Sequence, residues 1–356
     1  MRRLLVLVVL GSILASCASS DPSVEFETLG PFLDRLIVEK AVPGLGFALF
    51  NDEGLLYEHV GGSKSQATGE AVDAATVFEA ASISKPLFAH VVYSLVLDGV
   101  LELDTPLDTL VPELPELGHD SRAARLTARL LLMHRGGLPN WRSRLNLAAE
   151  SYSELFAPDD RLEFVLDPGT EYRYSGEGYV LLQRIVEEVT GESLNELTAE
   201  RLFEPLGMAR SSFLLDTEMR RNYSLGHDAE GNPDKWELRV PLASSTLHTT
   251  AADLARFGAY LASEIRTGGP FATLADPATS VATDGDRQLS WGLGLGIVTD
   301  GARRYLYHGG NNVIFIADFM YGVEENLGYA LLTNSSNGEQ VVEAVERRVF
   351  GSHVRR

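Results

Sequence analysis

One cysteine, four lysines and no apolar run long enough to cross a bilayer are what this chain of 356 residues lacks most plainly. The single thiol, Cys17, rules out an intrachain disulfide and any metal site built from several cysteines. Fifty Asp and Glu stand against thirty Lys and Arg, giving a formal net charge of -20 and a pI near 4.8. That balance argues against nucleic acid and anionic membrane surfaces as electrostatic partners, and its first meaning is a solvated acidic surface. Neither a His-Glu-x-x-His pair nor a Gly-x-Ser-x-Gly elbow occurs, so a zinc-hydrolase or nucleophile-elbow mechanism has no support, and no cofactor is called for. Repeats, low-complexity tracts and long linkers are also missing. With 45% hydrophobic residues, the chain has ample material for a large core.

The N-terminus carries a pattern of its own. Arg2 and Arg3 precede an apolar run from Leu4 to Leu14, the length of a signal-peptide core and too short to span a bilayer. Leu14-Ala15-Ser16-Cys17 resembles a bacterial lipoprotein cleavage box, whose cysteine becomes the lipidated first residue. Residues 1–24 are therefore expected to form a lipoprotein-type signal and short tether. The folded domain would be exported and held at the cell envelope by a lipid on Cys17. Cleavage at a neighbouring small residue, with Cys17 incidental, is the alternative.

Beyond residue 25 the texture is mixed. Phe26 to Lys40 has helical spacing, and Leu45–Phe50 with Leu55–Val60 reads as a hairpin across Asn51-Asp52-Glu53-Gly54. Gly61 to Ala75 reads as a surface connection. Leu126 to Met133 reads as a short helix, and residues 143–215 as mostly helical, through Ser153–Ala157, Asp160–Leu166, Tyr179–Thr190 and Leu194–Phe203. A Thr-capped helix follows over Thr249–Ala262. From Trp291 the chain returns to strand texture in WGLGLGIV, YLYHGG, VIFIADFMYG and LGYALLTN, and a last helix spans Gly338–Val349. The expected fold is α/β in the α+β sense: a central antiparallel sheet built from both chain ends, flanked by helices. A mostly helical lobe of about residues 82–250 is inserted in a domain spanning 25–350, with the site in the cleft between lobes.

Within Phe78 to Gly99, Ser82 and Lys85 form a Ser-x-x-Lys, three apart and on one helical face. Pro86 requires the helix to begin close to Ser82, where unpaired backbone N–H groups favour negative charge on the serine oxygen or a bound oxyanion. A lysine with a lowered pKa is a base for such a serine, and a tyrosine such as Tyr174 can share its proton. His308-Gly309-Gly310 allows close backbone approach. Each has a plainer reading. A chance Ser-x-x-Lys has odds of roughly one in four, Tyr174 alone reads as a half-buried loop residue, and glycines often end strands.

Taken in order, Ser82-Ile83-Ser84-Lys85, Tyr174-Ser175-Gly176 and His308-Gly309-Gly310 resemble the three motifs of the serine β-lactamase and penicillin-binding-protein superfamily, in its class C and DD-peptidase-like branch. VPGLGFAL (42–49), LLMHRGGLP (131–139), PGTEYRYSGEGYVLL (168–182) and WGLGLG (291–296) add to a resemblance covering roughly residues 28–350. It implies Ser82 as nucleophile, Lys85 and Tyr174 as proton-transfer groups, the backbone N–H groups of Ser82 and Asn311 as oxyanion hole, and His308 as substrate holder or proton relay. Gly309, Gly310 and Asn311 would line the substrate. It implies an acyl-enzyme on a small ester or amide, peptidoglycan-derived peptides included. Two departures stand out. Gly176 replaces the usual asparagine, which puts amide and lactam recognition in doubt and favours esters, whose leaving group needs less help. Val313-Ile314-Phe315 replaces a more open continuation and predicts a bulkier wall beside the third motif. His134 and His248 are expected to be structural. A non-catalytic envelope scaffold is the competing class.

The lipid anchor has a direct test. Cys17→Ala should move the protein from the detergent fraction to the soluble one or block processing; unchanged membrane attachment of the variant would exclude lipidation at this residue.

Overall fold

The computed structural model describes residues 26–354 apart from 112–116, 118–119, 144, 158 and 235–237, so Cys17 and the N-terminal pattern lie outside the described residues. The central feature is an eight-stranded antiparallel sheet. Its strands are β1 (Gly44–Asn51), β2 (Gly54–Gly62), β7 (Thr279–Asp284), β8 (Arg287–Trp291), β9 (Gly296–Asp300), β10 (Arg303–Asn311), β11 (Ile316–Gly322) and β12 (Leu327–Thr333), in the order β2-β1-β12-β11-β10-β9-β8-β7. Strands from the two chain ends meet where β1 pairs with β12, Leu45 opposite Thr333 and Phe50 opposite Gly328.

Side chains alternate across a strand, and here both faces are covered. Leu45, Phe47 and Leu49 of β1 join Tyr329 and Leu331 of β12 beneath α1 (Phe26–Glu39) and the C-terminal helix Glu339–Phe350. Ala48, Phe50, Ala330 and Leu332 face the other way, into the larger core. Strands buried on two faces need continuous apolar runs, which is why this part of the sequence reads as unbroken hydrophobic blocks.

The larger core is organised on α2 (Ser84–Leu97), which is buried nearly all round: Leu87, Phe88, Val91, Val92 and Leu95 are each no more than 1% exposed. A helix apolar on every side belongs in an interior. It leaves a short strand, β3 (Phe78–Ala81), which pairs with β6 (Leu247–Thr249). Helices α3 (Leu107–Leu110), α4 (Ala128–Leu132), α5 (Gly176–Thr190), α6 (Leu194–Thr198) and α7 (Glu204–Leu206) and the small hairpin of β4 (Gly226–His227) with β5 (Pro233–Asp234) lie between the two strands in the chain. Thr250 then caps α8 (Ala251–Thr267), its hydroxyl accepting from Asp253 N–H at 3.1 Å, and the chain closes with α9 (Glu339–Phe350).

Several expectations are corrected. Asp160–Leu166 forms no helix: Leu162 and Phe164 are buried between exposed Arg161, Glu163 and Val165, an alternation of period two that belongs to extended chain. Ser153–Ala157 contributes only to a single turn at Tyr152–Glu154. WGLGLGIV is a strand end, a turn and a new strand rather than one strand. The hairpin of β7 with β8 was not expected, because β7 is almost wholly exposed and carries no apolar alternation. Gly61–Ala75 is not simply surface, since Lys64 and Ser65 are buried.

Candidate active site

Ser82 stands at a sharp turn. Strand β3 ends at Ala81, whose φ of 49° lies in the left-handed region that a non-glycine residue rarely occupies. The helix begins close to Ser82 as expected, at Ser84, so Ser82 projects from the turn ahead of α2 and is half-buried. Ser84 fixes that turn: its hydroxyl donates to Ala81 O at 2.6 Å and accepts from Leu247 N–H at 2.9 Å, and it is fully buried. Of the two serines in the motif, Ser82 is the one that opens onto a cleft.

Lys85, 1% exposed, follows one helical turn on. Its Nζ lies 3.0 Å from Ser82 Oγ, donates to Ser244 O at 2.7 Å, and sits 4.8 Å from the centroid of the Tyr174 ring. Burial in this apolar setting disfavours the charged amine and brings its pKa down to about 7. Tyr174 hydrogen-bonds Ser82 through its hydroxyl, but burial drives its pKa well upward, so the phenol keeps its proton at neutral pH. The division of labour follows. Neutral Lys85 can accept the Ser82 proton through its lone pair, while Tyr174 holds one to give.

The opposite wall is β10. A Cβ on Gly310 would come within 2.3 Å of Ala80 O, so this glycine is required for β10 to lie against β3. The close approach is to protein backbone rather than to substrate, which corrects the expectation for this position. Gly309, Gly310 and Asn311 line the cleft with Ser82 and Tyr174. His308 is 2% exposed, its Nδ1 2.8 Å from Gly309 O and its ring 5.5 Å from that of Trp291 and 6.1 Å from Tyr174. It backs the cleft behind Tyr174 rather than lining it. Val313-Ile314-Phe315 forms no bulkier wall: Val313, at φ 68°, is 69% exposed, while Ile314 and Phe315 turn into the core. Asn312 ties the same turn inward, donating to Glu79 of β3 and, at 3.1 Å, to Ser245 O beside the Lys85 acceptor.

His134 and His248 are placed structurally. His134 is fully buried, its ring 4.3 Å from that of Tyr174, and its Nδ1 accepts from Ser175 N–H at 3.1 Å. Burial and nearby Lys85 hold its pKa well below the usual histidine value, so it braces Tyr174 as a neutral ring. His248 lies on β6 opposite Glu79, against Tyr223.

Gly176 begins α5, and a side chain there would be tightly crowded. A Cβ would meet Asn140 O at 3.0 Å, Trp141 at 3.1 Å and Asn140 Oδ1 at 3.2 Å. The first atom of the expected asparagine would crowd Asn140 and Trp141, residues of the loop after Pro139 that no motif singled out. Ser244, Asp318, Glu339 and Glu343 were also not foreseen. The cleft holds about 510 Å³ and extends from Ser82 past Asn140 and β10 to Asp318, Glu339, Glu343 and His353. Among the described residues no cluster of three or more His, Cys, Asp or Glu could hold a metal.

A model of the Beta-lactamase family matches residues 29–351. The chain belongs to the Beta-lactamase family. Penicillin-binding protein 4 of Amycolatopsis lactamdurans is 32% identical over 242 residues, 63% of this chain and 60% of the relative. Esterase EstB of Burkholderia gladioli is 28% identical over 232 residues, 60% of this chain and 58% of the relative. The aligned region thus spans about three fifths of the length of these curated relatives. Among solved structures, the octameric penicillin-binding protein homologue from Pyrococcus abyssi superposes with a TM-score of 0.78 at 23% identity, covering 92% of this chain and 78% of that one. This last likeness concerns the fold.

For this Beta-lactamase family protein the two serines separate cleanly by experiment. Ser82→Ala should lower hydrolysis of an activated ester by about 10³-fold or more with little change in melting. Ser84→Ala should mainly destabilise, by roughly 1–3 kcal/mol for each buried backbone group it strands. Retention of turnover by Ser82→Ala together with its loss in Ser84→Ala would reverse the assignment.

Lys85 makes a prediction in pH. The competent form is the neutral amine, so kcat/KM should rise through a pKa of about 7 and fall about tenfold per unit below it. Because the folded pKa lies below that of the unfolded chain, the group favours unfolding below pH 7, and its penalty fades as pH rises from 7 toward the unfolded value. Lys85→Met should therefore abolish turnover yet melt no lower than wild type at acidic pH. A flat kcat/KM across this range would remove Lys85 as the base.

Proposed function

We propose that the protein is a serine hydrolase working through an acyl-enzyme on Ser82, with small uncharged esters preferred over β-lactams and D-alanyl-D-alanine peptides. Ser82 Oγ attacks the carbonyl carbon as neutral Lys85 takes its proton. The backbone N–H groups of Ser82 and Asn311 receive the oxyanion, an assignment supported by the seating of β10 on β3 through Gly310. Collapse expels the alkoxide, protonated from the Lys85–Tyr174 pair, and water then attacks the acyl-enzyme by the same steps in reverse roles.

The preference rests on charge. Asp318, Glu339 and Glu343 line the same cleft as Ser82, and no Lys or Arg is among its described lining residues. Glu339 accepts from Asn311 Nδ2 at 3.0 Å and Asp318 from the Tyr329 hydroxyl at 2.5 Å, so both are held in place. Penicillins and D-alanyl-D-alanine peptides carry a carboxylate, which the carboxylates of this cleft oppose, although Glu343 is partly offset by its 2.9 Å pair with Arg347. Neutral esters meet no such opposition. Gly176 is not the reason, since Asn140 and Trp141 crowd the position. Export and anchoring through Cys17 belong to the same reading, supported by the pattern of residues 2–17.

Short-chain p-nitrophenyl esters should be turned over at least about tenfold more efficiently than a penicillin or a D-alanyl-D-alanine peptide. Glu339→Gln and Glu343→Gln together should narrow that gap by raising turnover of the carboxylate substrates. Higher efficiency of the wild-type protein on the peptide or on a cephalosporin would overturn the preference.

A further inference from the structure

Strand β10 is supported unevenly along its length. Pairing with β9 covers Arg303–Tyr307 and stops there, whereas pairing with β11 continues to Asn311. Past Tyr307 the edge that β9 leaves is open, and Gly309, Gly310 and Asn311 line the cleft there. Successive N–H groups of a strand point to opposite edges. Asn312 N–H donates toward β11, to Phe315 O at 3.1 Å, so the Asn311 N–H points to the open edge.

A strand end without a neighbour on one side has to be held from elsewhere, and Asn312 holds this one. Its side-chain amino group donates to Glu79 on β3 and, at 3.1 Å, to Ser245 O. Both partners are acceptors, so the amino end of the carboxamide is the end that fits, and both of its hydrogens are used. Glu79 is 4% exposed and stands three residues ahead of Ser82. Ser245 follows the residue whose carbonyl accepts from Lys85. Asn312 itself is not among the described residues that line the cleft.

We propose that Asn312 is a positioning residue: its bond to Glu79 sets the separation of the two oxyanion donors, the backbone N–H groups of Ser82 and Asn311, without touching substrate. The inference rests on the acyl-enzyme reading above and gives its oxyanion hole a tie between the two halves. The Glu79 end fixes β3 ahead of Ser82, and the Asn312 end fixes the open edge of β10. Donors set before the substrate arrives need no reorganisation as charge develops on oxygen. A slackened tie weakens binding of the transition state and leaves that of the ground-state carbonyl nearly untouched, so the loss falls on kcat.

The test measures kcat and KM on an activated p-nitrophenyl ester, and the affinity of an aryl boronic acid, whose boron takes Ser82 Oγ as a fourth ligand and sets an oxygen in the oxyanion hole. Asn312→Ala should lower kcat and kcat/KM by about tenfold or more, with KM within about twofold, and weaken the boronic acid by a similar factor. The acid limb of the kcat/KM profile should stay at a pKa of about 7, since Lys85 keeps Ser244 O. Glu79→Ala should match this loss, and Glu79→Gln, which keeps an accepting oxygen, should recover most of it. The double variant Glu79→Ala/Asn312→Ala should be little worse than either single one. Unchanged kcat in a folded Asn312→Ala, or a loss confined to KM or to a shifted acid limb, would overturn the inference alone. If Asn312→Ala fails to fold, Glu79→Gln/Asn312→Ala, which removes the buried charge, is read in the same way. Absence of turnover by wild type, with no adduct on Ser82 from a fluorophosphonate, would overturn the acyl-enzyme reading and this inference together.

Discussion

Holding an amine in the core without its charge is the constraint on which the rest of this structure depends. Lys85 lies on a helix apolar on every side, and removing an ammonium from water without a partner costs far more than most single interactions can return. Among the described residues no carboxylate pairs with Lys85; its partners are a carbonyl, Ser244 O, and a hydroxyl, Ser82 Oγ. Both suit a neutral amine. Desolvation therefore acts nearly alone on this group and leaves it poised between protonation states near neutrality. A carboxylate in place of Ser244 O would have fixed the charge and removed the base.

Placing that lysine requires three segments distant in sequence to converge on one turn. β3 delivers Ser82, β6 and the residues before it deliver Ser244, and β10 closes the far side. The turn between β10 and β11 locks them: Asn312 reaches Glu79 on β3 and Ser245 beside the lysine acceptor, while Gly310 allows the strands to touch. The left-handed Ala81 and the buried Ser84 complete the arrangement. Strain at such a turn persists only where its surroundings over-determine it, and here hydrogen bonds from β6 and from the β10–β11 turn do so.

What the sequence revealed follows the same physics. Ser82 and Lys85 were legible because three residues along a helical turn is a local distance, fixed before any tertiary contact. The doubly covered sheet was legible because β1, β11 and β12 are apolar without interruption. The β7–β8 hairpin was not, since exposed strands such as β7 carry no hydrophobic period. Asp160–Leu166 was misread because a short segment with two buried residues fits either period. Ser244 could not have been found, for it acts through a backbone carbonyl that every residue type possesses. Asn140 was hidden for another reason: it meets Gly176 only in space, and a glycine in a motif reads as a loss until the neighbour that crowds its place is seen.

The long acidic balance of the chain raises a last question, because negative charge nearby should push a lysine pKa up. A net charge of -20 acts mostly through solvent, where interactions fade within roughly 8–10 Å at ordinary ionic strength. Asp318, Glu339 and Glu343 line the same cleft as Ser82, yet desolvation is the cause that sets the Lys85 pKa. No carboxylate is among the causes of the Lys85 shift, which is burial alone. Charge that would select among substrates is thereby separated from charge that would disable the base. One cleft can then present carboxylates to what enters it and still keep, beside Ser82, a lysine whose pKa burial brings down to about 7.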